Sequence, residues 1–126
     1  AENEFTGVQF HFHSGSEHTI DSKRFDLEMH TVHSPKDVQN GFFAAAVGIL
    51  FSVEDYTVDL SYSQQALIDT FFDSLKWTDM TDAGPTVDLI TYGNLMEFVD
   101  TNNRYVYKGS VTTPPCATFV HWNVLS

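Results

Sequence analysis

The sequence predicts a mixed α/β, β-dominated fold: a central twisted sheet of predominantly antiparallel strands, with short peripheral helices. Three features lead to it. Segments at about 7–13 and 27–33 alternate polar and apolar residues as half-buried strands do. Phe42 to Val53 is a continuous apolar run, suited to a central strand buried on both faces. Only Ser63 to about Lys76 has a helical repeat, with Leu67, Phe71, Phe72 and Leu75 as its apolar stripe and Ser63 as N-cap.

The remaining elements follow from turn chemistry. A polar stretch with a turn near Asp21-Ser22-Lys23 joins the first two strands, and Pro35 to Gly41 is a loop. An alternating strand is expected around Tyr56 to Leu60, before the helix. A turn-rich segment, Thr78 to Pro85, leads to Val87–Thr91, to which no element type is assigned. Thr101 to Arg104 is a further turn. Tyr105–Tyr107 enters a loop at Gly109–Pro115, and Phe119–Leu125 is the last strand. Repeats, linkers and low-complexity tracts are missing, so the 126 residues are read as a single domain.

Composition excludes some partners. Seventeen acidic against six basic residues give a net charge of −11, and the six are scattered. Nucleic acid is therefore not expected as a partner, because phosphate binding needs clustered Lys and Arg. No apolar run reaches transmembrane length: Phe42–Val53 spans only twelve residues and contains Gly48.

The chemistry lies in the first two strands. Val8-Gln-Phe-His-Phe-His13 places Gln9, His11 and His13 on one face, while Leu27-Glu-Met-His-Thr-Val-His33 places Glu28, His30 and Val32 together. Antiparallel pairing with His30 opposite the His11/His13 face would bring three imidazoles over one patch of sheet. A slip of one residue would separate them. Three neutral nitrogen ligands leave the fourth tetrahedral position of Zn2+ open, as in catalytic zinc sites. Gln9 and Glu28 sit two positions from His11 and His30 on the same faces, where each could accept the imidazole's other N–H. One histidine in a half-buried strand would be an ordinary polar residue; an HxH with a matching Glu-x-His is not.

Several blocks resemble the alpha-class carbonic anhydrases in sequence and order: Gln9-Phe-His-Phe-His13, Ser16-Glu-His-Thr19, Glu28-Met-His-Thr-Val-His33 and Gly109-Ser-Val-Thr-Thr-Pro-Pro115. Val120-His-Trp-Asn-Val-Leu125 is similar to the strand that follows them in that family. The resemblance implies the alpha carbonic anhydrase fold. It also implies that 1–126 is the central portion of one such domain, incomplete at both ends, with the usual proton-shuttle histidine before Ala1. The implied activity is zinc-dependent, reversible hydration of CO2 to bicarbonate and a proton. His11 and His13 would bind through Nε2 and His30 through Nδ1. Thr112 would accept a hydrogen bond from the hydroxide nucleophile and donate one to Glu17, since an ionised carboxylate can only accept. Thr113 would contact bicarbonate. Val32, Ala46, Val111, Val120 and Trp122, with Phe51, would form the apolar wall where CO2 lodges. His18 and His33 would be hydrogen-bonded structural residues, and His121 has no assigned role. Two departures stand out: Ser14 replaces the tryptophan of many animal members, and Ala46 a larger valine.

Cys116, the only cysteine, follows the threonine loop as in secreted, membrane-anchored and many bacterial members. The resemblance implies a disulfide to a cysteine outside this sequence and an extracellular or luminal location. Two other readings compete with the enzyme. One is a carbonic-anhydrase-like structural or binding module within a larger extracellular assembly, with little or no catalysis. The other is a different zinc hydrolase such as an esterase, for which no suitably placed general base is found.

Overall fold

Alternation in β1 (Phe5–Ser14) and β4 (Leu27–Pro35) produces the pairing on which the structure is built. The computed structural model describes residues 4–37, 41–54, 59–76, 78, 84 and 86–125. These two strands run antiparallel with His11 opposite His30, Phe12 opposite Met29 and His13 opposite Glu28. A bulge between Gly7 and Gln9 sets Val8 outside the register and leaves it 60% exposed. Beyond the bulge the period of two holds, so Gln9, His11 and His13 share a face as expected.

The strand order is β1-β4-β5-β7-β6, adding β5 (Ala44–Phe51), β7 (Thr118–Leu125) and β6 (Arg104–Ser110). Only the β5–β7 pairing is parallel; the others are antiparallel. The apolar run at Phe42–Val53 supplies β5 as predicted, with Ala44, Ala45, Ala46 and Ile49 buried between two neighbouring strands. The expected turn near Asp21 is the tip of a small hairpin, β2 (Thr19–Ile20) and β3 (Lys23–Arg24). Its Asp21 and Ser22 both take positive φ, as a two-residue hairpin turn requires.

Two compact units divide the chain: Ala1–Asp55 with Thr101–Ser126, and Tyr56–Asp100. The first carries the sheet. The second carries α1 (Tyr62–Ser74) and α2 (Leu89–Met96). The N-cap of α1 is Ser61 rather than Ser63. Ser61 Oγ accepts from the Gln64 N–H while the Gln64 side chain accepts from the Ser61 N–H, a reciprocal pair that Ser63 cannot offer. Phe71 and Leu75 are buried, but Leu67 on the predicted stripe is exposed. α2 was not expected. Asp88 caps it by accepting from the Ile90 N–H, and its Tyr92 ring packs 6.5 Å from that of Phe71. Leu60 lies outside any strand, while most of the strand expected at Tyr56–Leu60 and of the Thr78–Pro85 turn falls outside the described residues.

Odd positions of β4 point to the face opposite the histidines. Met29 is fully buried there, between Phe12 and Ile49 of the neighbouring strands. Met29→Ala should therefore destabilise the sheet unit by roughly 2–5 kcal/mol. A shift in the denaturant midpoint measures this; an unchanged midpoint would show that the site collapses without loss.

Candidate metal centre

Register and side-chain alternation bring His11, His13 and His30 together. Their ring centroids are 5.0 Å (His11–His13), 5.3 Å (His11–His30) and 4.5 Å (His13–His30) apart. One nitrogen from each lies within 4.8 Å of the others. His11 and His13 are half-buried and His30 is buried.

Hydrogen bonds decide which nitrogen each ring has to offer. His11 Nδ1 donates to Gln9 Oε1 at 2.9 Å, which leaves Nε2 free. His30 Nε2 donates to Glu28 Oε1 at 2.7 Å, which leaves Nδ1 facing the cluster. His13 Nε2 is buried without a hydrogen-bond partner, an atom that a metal ion would satisfy. Burial, then the neighbouring His30 and His13, hold the His11 pKa below its ordinary value, against a smaller opposing pull from Glu17. A neutral ring is the form that binds metal. The donor set fits a tetrahedral zinc ion with one open position.

Glu28 anchors this set. It is fully buried and accepts three hydrogen bonds: His30 Nε2 at 2.7 Å, His18 Nδ1 at 2.5 Å and the His18 backbone N–H at 2.8 Å. Burial alone would raise its pKa. The His18 side chain, His30 and the His18 backbone outweigh burial and hold the carboxyl well below the usual carboxylate range. His18, Glu28 and His30 also lie close enough to hold an ion, but their facing atoms are already hydrogen-bonded to one another.

The remaining expected residues divide. Val32, Ala46, Val111, Val120 and Trp122 form one cluster with Ala44, and the Trp122 ring is 4.8 Å from that of His30. Phe51 does not join them. It stands five residues from Ala46 on an unbroken strand, and an odd separation puts it on the other face. Thr112 and Thr113 are exposed on the loop between β6 and β7, which is closed by bonds from Val111 N–H to Ala117 O and from Cys116 N–H to Thr113 O. Among the described residues no hydrogen bond joins Thr112 to Glu17. The Glu17 carboxylate instead lies 3.5 Å from His13 Nδ1 and 3.9 Å from His30 Nδ1. Cys116 is exposed and has no disulfide within this sequence.

The profile of the family described as eukaryotic-type carbonic anhydrase matches residues 1–126. The chain belongs to that family. Mouse carbonic anhydrase 6 is 35% identical over 97% of this chain and 41% of its own length. Alpha carbonic anhydrase 7 of Arabidopsis thaliana is 32% identical over 97% and 40%. A hyperthermostable carbonic anhydrase from an active hydrothermal vent chimney superposes with a TM-score of 0.63 at 32% identity, covering 97% of this chain and 48% of that one. This chain thus spans about two-fifths of the length of these curated relatives. The expected alpha carbonic anhydrase fold, strand-dominated with a mainly antiparallel sheet, is the fold observed. No described helix is long and apolar enough to cross a membrane.

Sequence reasoning missed two residues of the site. Tyr107 Oη lies 2.6 Å from His18 Nε2 across 89 positions of sequence, a pairing no local pattern reveals. Gly48 stands opposite His30 on β5, and a Cβ there would come within 2.9 Å of Glu28 Oε1. Gly48→Ala should push the carboxylate off His30 and weaken the affinity of the three-histidine cluster for an added metal ion by roughly tenfold, the low end for a disturbed ligand partner. Competition with a chromophoric chelator reads this directly. Wild-type affinity in the variant would mean that Glu28 has room to spare.

Proposed function

We propose that residues 1–126 are part of a single zinc-dependent carbonic anhydrase domain that interconverts CO2 and water with bicarbonate and a proton. The observation that carries this reading is the convergence of three imidazoles around the orphaned Nε2 of His13, in a chain of this family. His11 and His13 would hold zinc through Nε2 and His30 through Nδ1. When bound, zinc would supply Lewis-acid activation of water at neutral pH.

The chain's own residues supply the rest. Gln9 and Glu28 fix the ring orientations of His11 and His30. Val32, Ala46, Val111, Val120 and Trp122 offer an apolar surface beside the histidines, suited to a substrate without a net dipole. Thr113, exposed on the same loop as Thr112, would contact the bicarbonate product. Thr112 would accept a hydrogen bond from the attacking nucleophile and donate one to Glu17, which fixes where the nucleophile's lone pair points.

A second reading has an observation of its own. Thr112 is exposed and, among the described residues, makes no bond to Glu17. A structural or binding module within a larger extracellular assembly, keeping zinc without catalysis, would need no such pair. Zinc content measured together with CO2 hydration by the full chain separates the two: zinc without hydration supports the module, zinc with hydration the enzyme. Within the enzyme reading, Glu28→Gln should weaken zinc retention by roughly 10- to 100-fold. Thr112→Ala should leave zinc in place and slow hydration; wild-type turnover in that variant would remove the threonine from the mechanism.

An extracellular or luminal location belongs to the same proposal. There Cys116 would pair with a second cysteine outside these residues and pin the threonine loop, stabilising the fold by about 2–4 kcal/mol. Thiol labelling of the native full chain without reductant tests this, and a reactive Cys116 would count against both the disulfide and the location.

A further inference from the structure

Two imidazoles of the cluster have an acceptor on their own strand: Gln9 stands two positions before His11, and Glu28 two positions before His30. His13 cannot follow this pattern. The position two before it is His11, itself part of the cluster, and the position two after it is Gly15, which has no side chain. We propose that Glu17 is the positioning residue for His13: its Oε1 receives the ring's Nδ1–H and so leaves Nε2 bare toward the ion. The proposal rests on the reading of His13 as a zinc ligand through Nε2.

Burial decides which nitrogen carries the hydrogen. His13 Nε2 is buried with no hydrogen-bond partner, while Nδ1 lies 3.5 Å from Glu17 Oε1. A hydrogen on Nε2 would be a buried donor with nothing to meet, and Nδ1 would turn a lone pair toward a carboxylate. A hydrogen on Nδ1 removes both costs. A formed charge-assisted bond is about 2.7–2.9 Å long, and a small rotation of the partly exposed Glu17 side chain closes the gap. Glu28 stands opposite His13 on β4 but is already committed. Its two oxygens accept from His30 Nε2, His18 Nδ1 and the His18 backbone N–H. Holding His13 through Oε1 leaves Glu17 Oε2 able to accept from Thr112.

The backbone brings Glu17 back to a ring four positions earlier. β1 ends at Ser14, and Gly15 turns the chain with a φ of +72° while its N–H donates to Asp26 O at 2.8 Å. Ser16 is fully buried and pins the segment. Its N–H donates to Phe25 O at 2.9 Å, and its hydroxyl donates to His18 O at 2.6 Å while accepting from the Phe25 N–H at 2.9 Å. On the other side, the His18 N–H is held by Glu28. Glu17 therefore sits between two anchored residues, with its carboxylate facing the cluster: the second oxygen is 3.9 Å from His30 Nδ1.

Long-range proton–nitrogen correlation NMR on the metal-free full chain reads the His13 tautomer without any activity. The wild-type ring should carry its hydrogen on Nδ1. In Glu17→Ala it should shift toward a mixture of tautomers, while His11 and His30, which keep Gln9 and Glu28, stay as they are. Zinc should dissociate roughly tenfold faster from Glu17→Ala. Glu17→Gln should stay near wild type, because an amide oxygen can still accept, as that of Gln9 does for His11. Thr112→Ala should change neither reading, which separates this role from any bond between the threonine and Glu17. Wild-type His13 protonated on Nε2 overturns the proposal. So does a Glu17→Ala chain with an unchanged His13 tautomer or wild-type zinc dissociation, and so does an equal loss in Thr112→Ala. If the wild-type chain binds no zinc, the ligand reading of His13 fails, and the tautomers alone decide whether Glu17 orients the ring.

Discussion

Everything chemical in this chain depends on the register between β1 and β4. Because side chains alternate faces, the pairing that sets His11 opposite His30 also aligns Gln9, His13 and Glu28 with the same side of the sheet. The register continues across the next strand, where Gly48 is His30's neighbour and leaves room for Glu28. It continues again into the parallel β5–β7 pair, where Ala46 stands beside Trp122 and closes the apolar patch next to the histidines. A slip by one position at the first pairing would turn His30, Glu28 and Val32 to the opposite face and scatter all three layers of the site. The bulge at Gly7–Gln9 lies before the first histidine, so its irregularity does not reach the cluster.

The elements that could be read from the sequence were those whose signal is local and periodic. Alternation marked β1 and β4, an unbroken apolar run marked β5, and a 3.6-residue stripe marked α1. The boundary of α1 was misread because Ser61 and Ser63 are both good caps, and only the reciprocal bond with Gln64 distinguishes them. The second helix was hidden by composition. Val87, Ile90, Thr91 and Tyr92 favour strands, and the Asp88 cap overrides that preference. Phe51 was placed on the wrong face by family resemblance, although counting from Ala46 would have corrected it. Tyr107 and Gly48 could not be found locally at all. One acts across 89 positions, and the other acts by having no side chain.

The same limit bears on Thr112. Its assigned role came from resemblance, and nothing in the loop sequence states where its hydroxyl points. The structure sets Glu17 against His13 and His30 instead. Glu17 lies on the short segment that follows β1, beside the two imidazoles. The His30 ring is held by a buried bond to Glu28, whereas the threonine–glutamate pair would have to form on a surface open to water.

Charge explains why the buried part is arranged as it is. Three neutral imidazoles bring no negative charge to an ion, so a doubly charged cation held there would keep most of its field, as water activation requires. Some compensation is still needed to keep such a cation in a partly buried place. Glu28, ionised and bonded to the far nitrogen of His30, would provide it without being a ligand itself. Moving that carboxylate forward into the ligand set would bind the ion more tightly and blunt its acidity. Removing it would leave His30 free to turn and the ion less well held. Distance is what reconciles the two demands. The chain sets that distance with one imidazole, held by a carboxylate that His18 also engages and that Gly48 leaves room for.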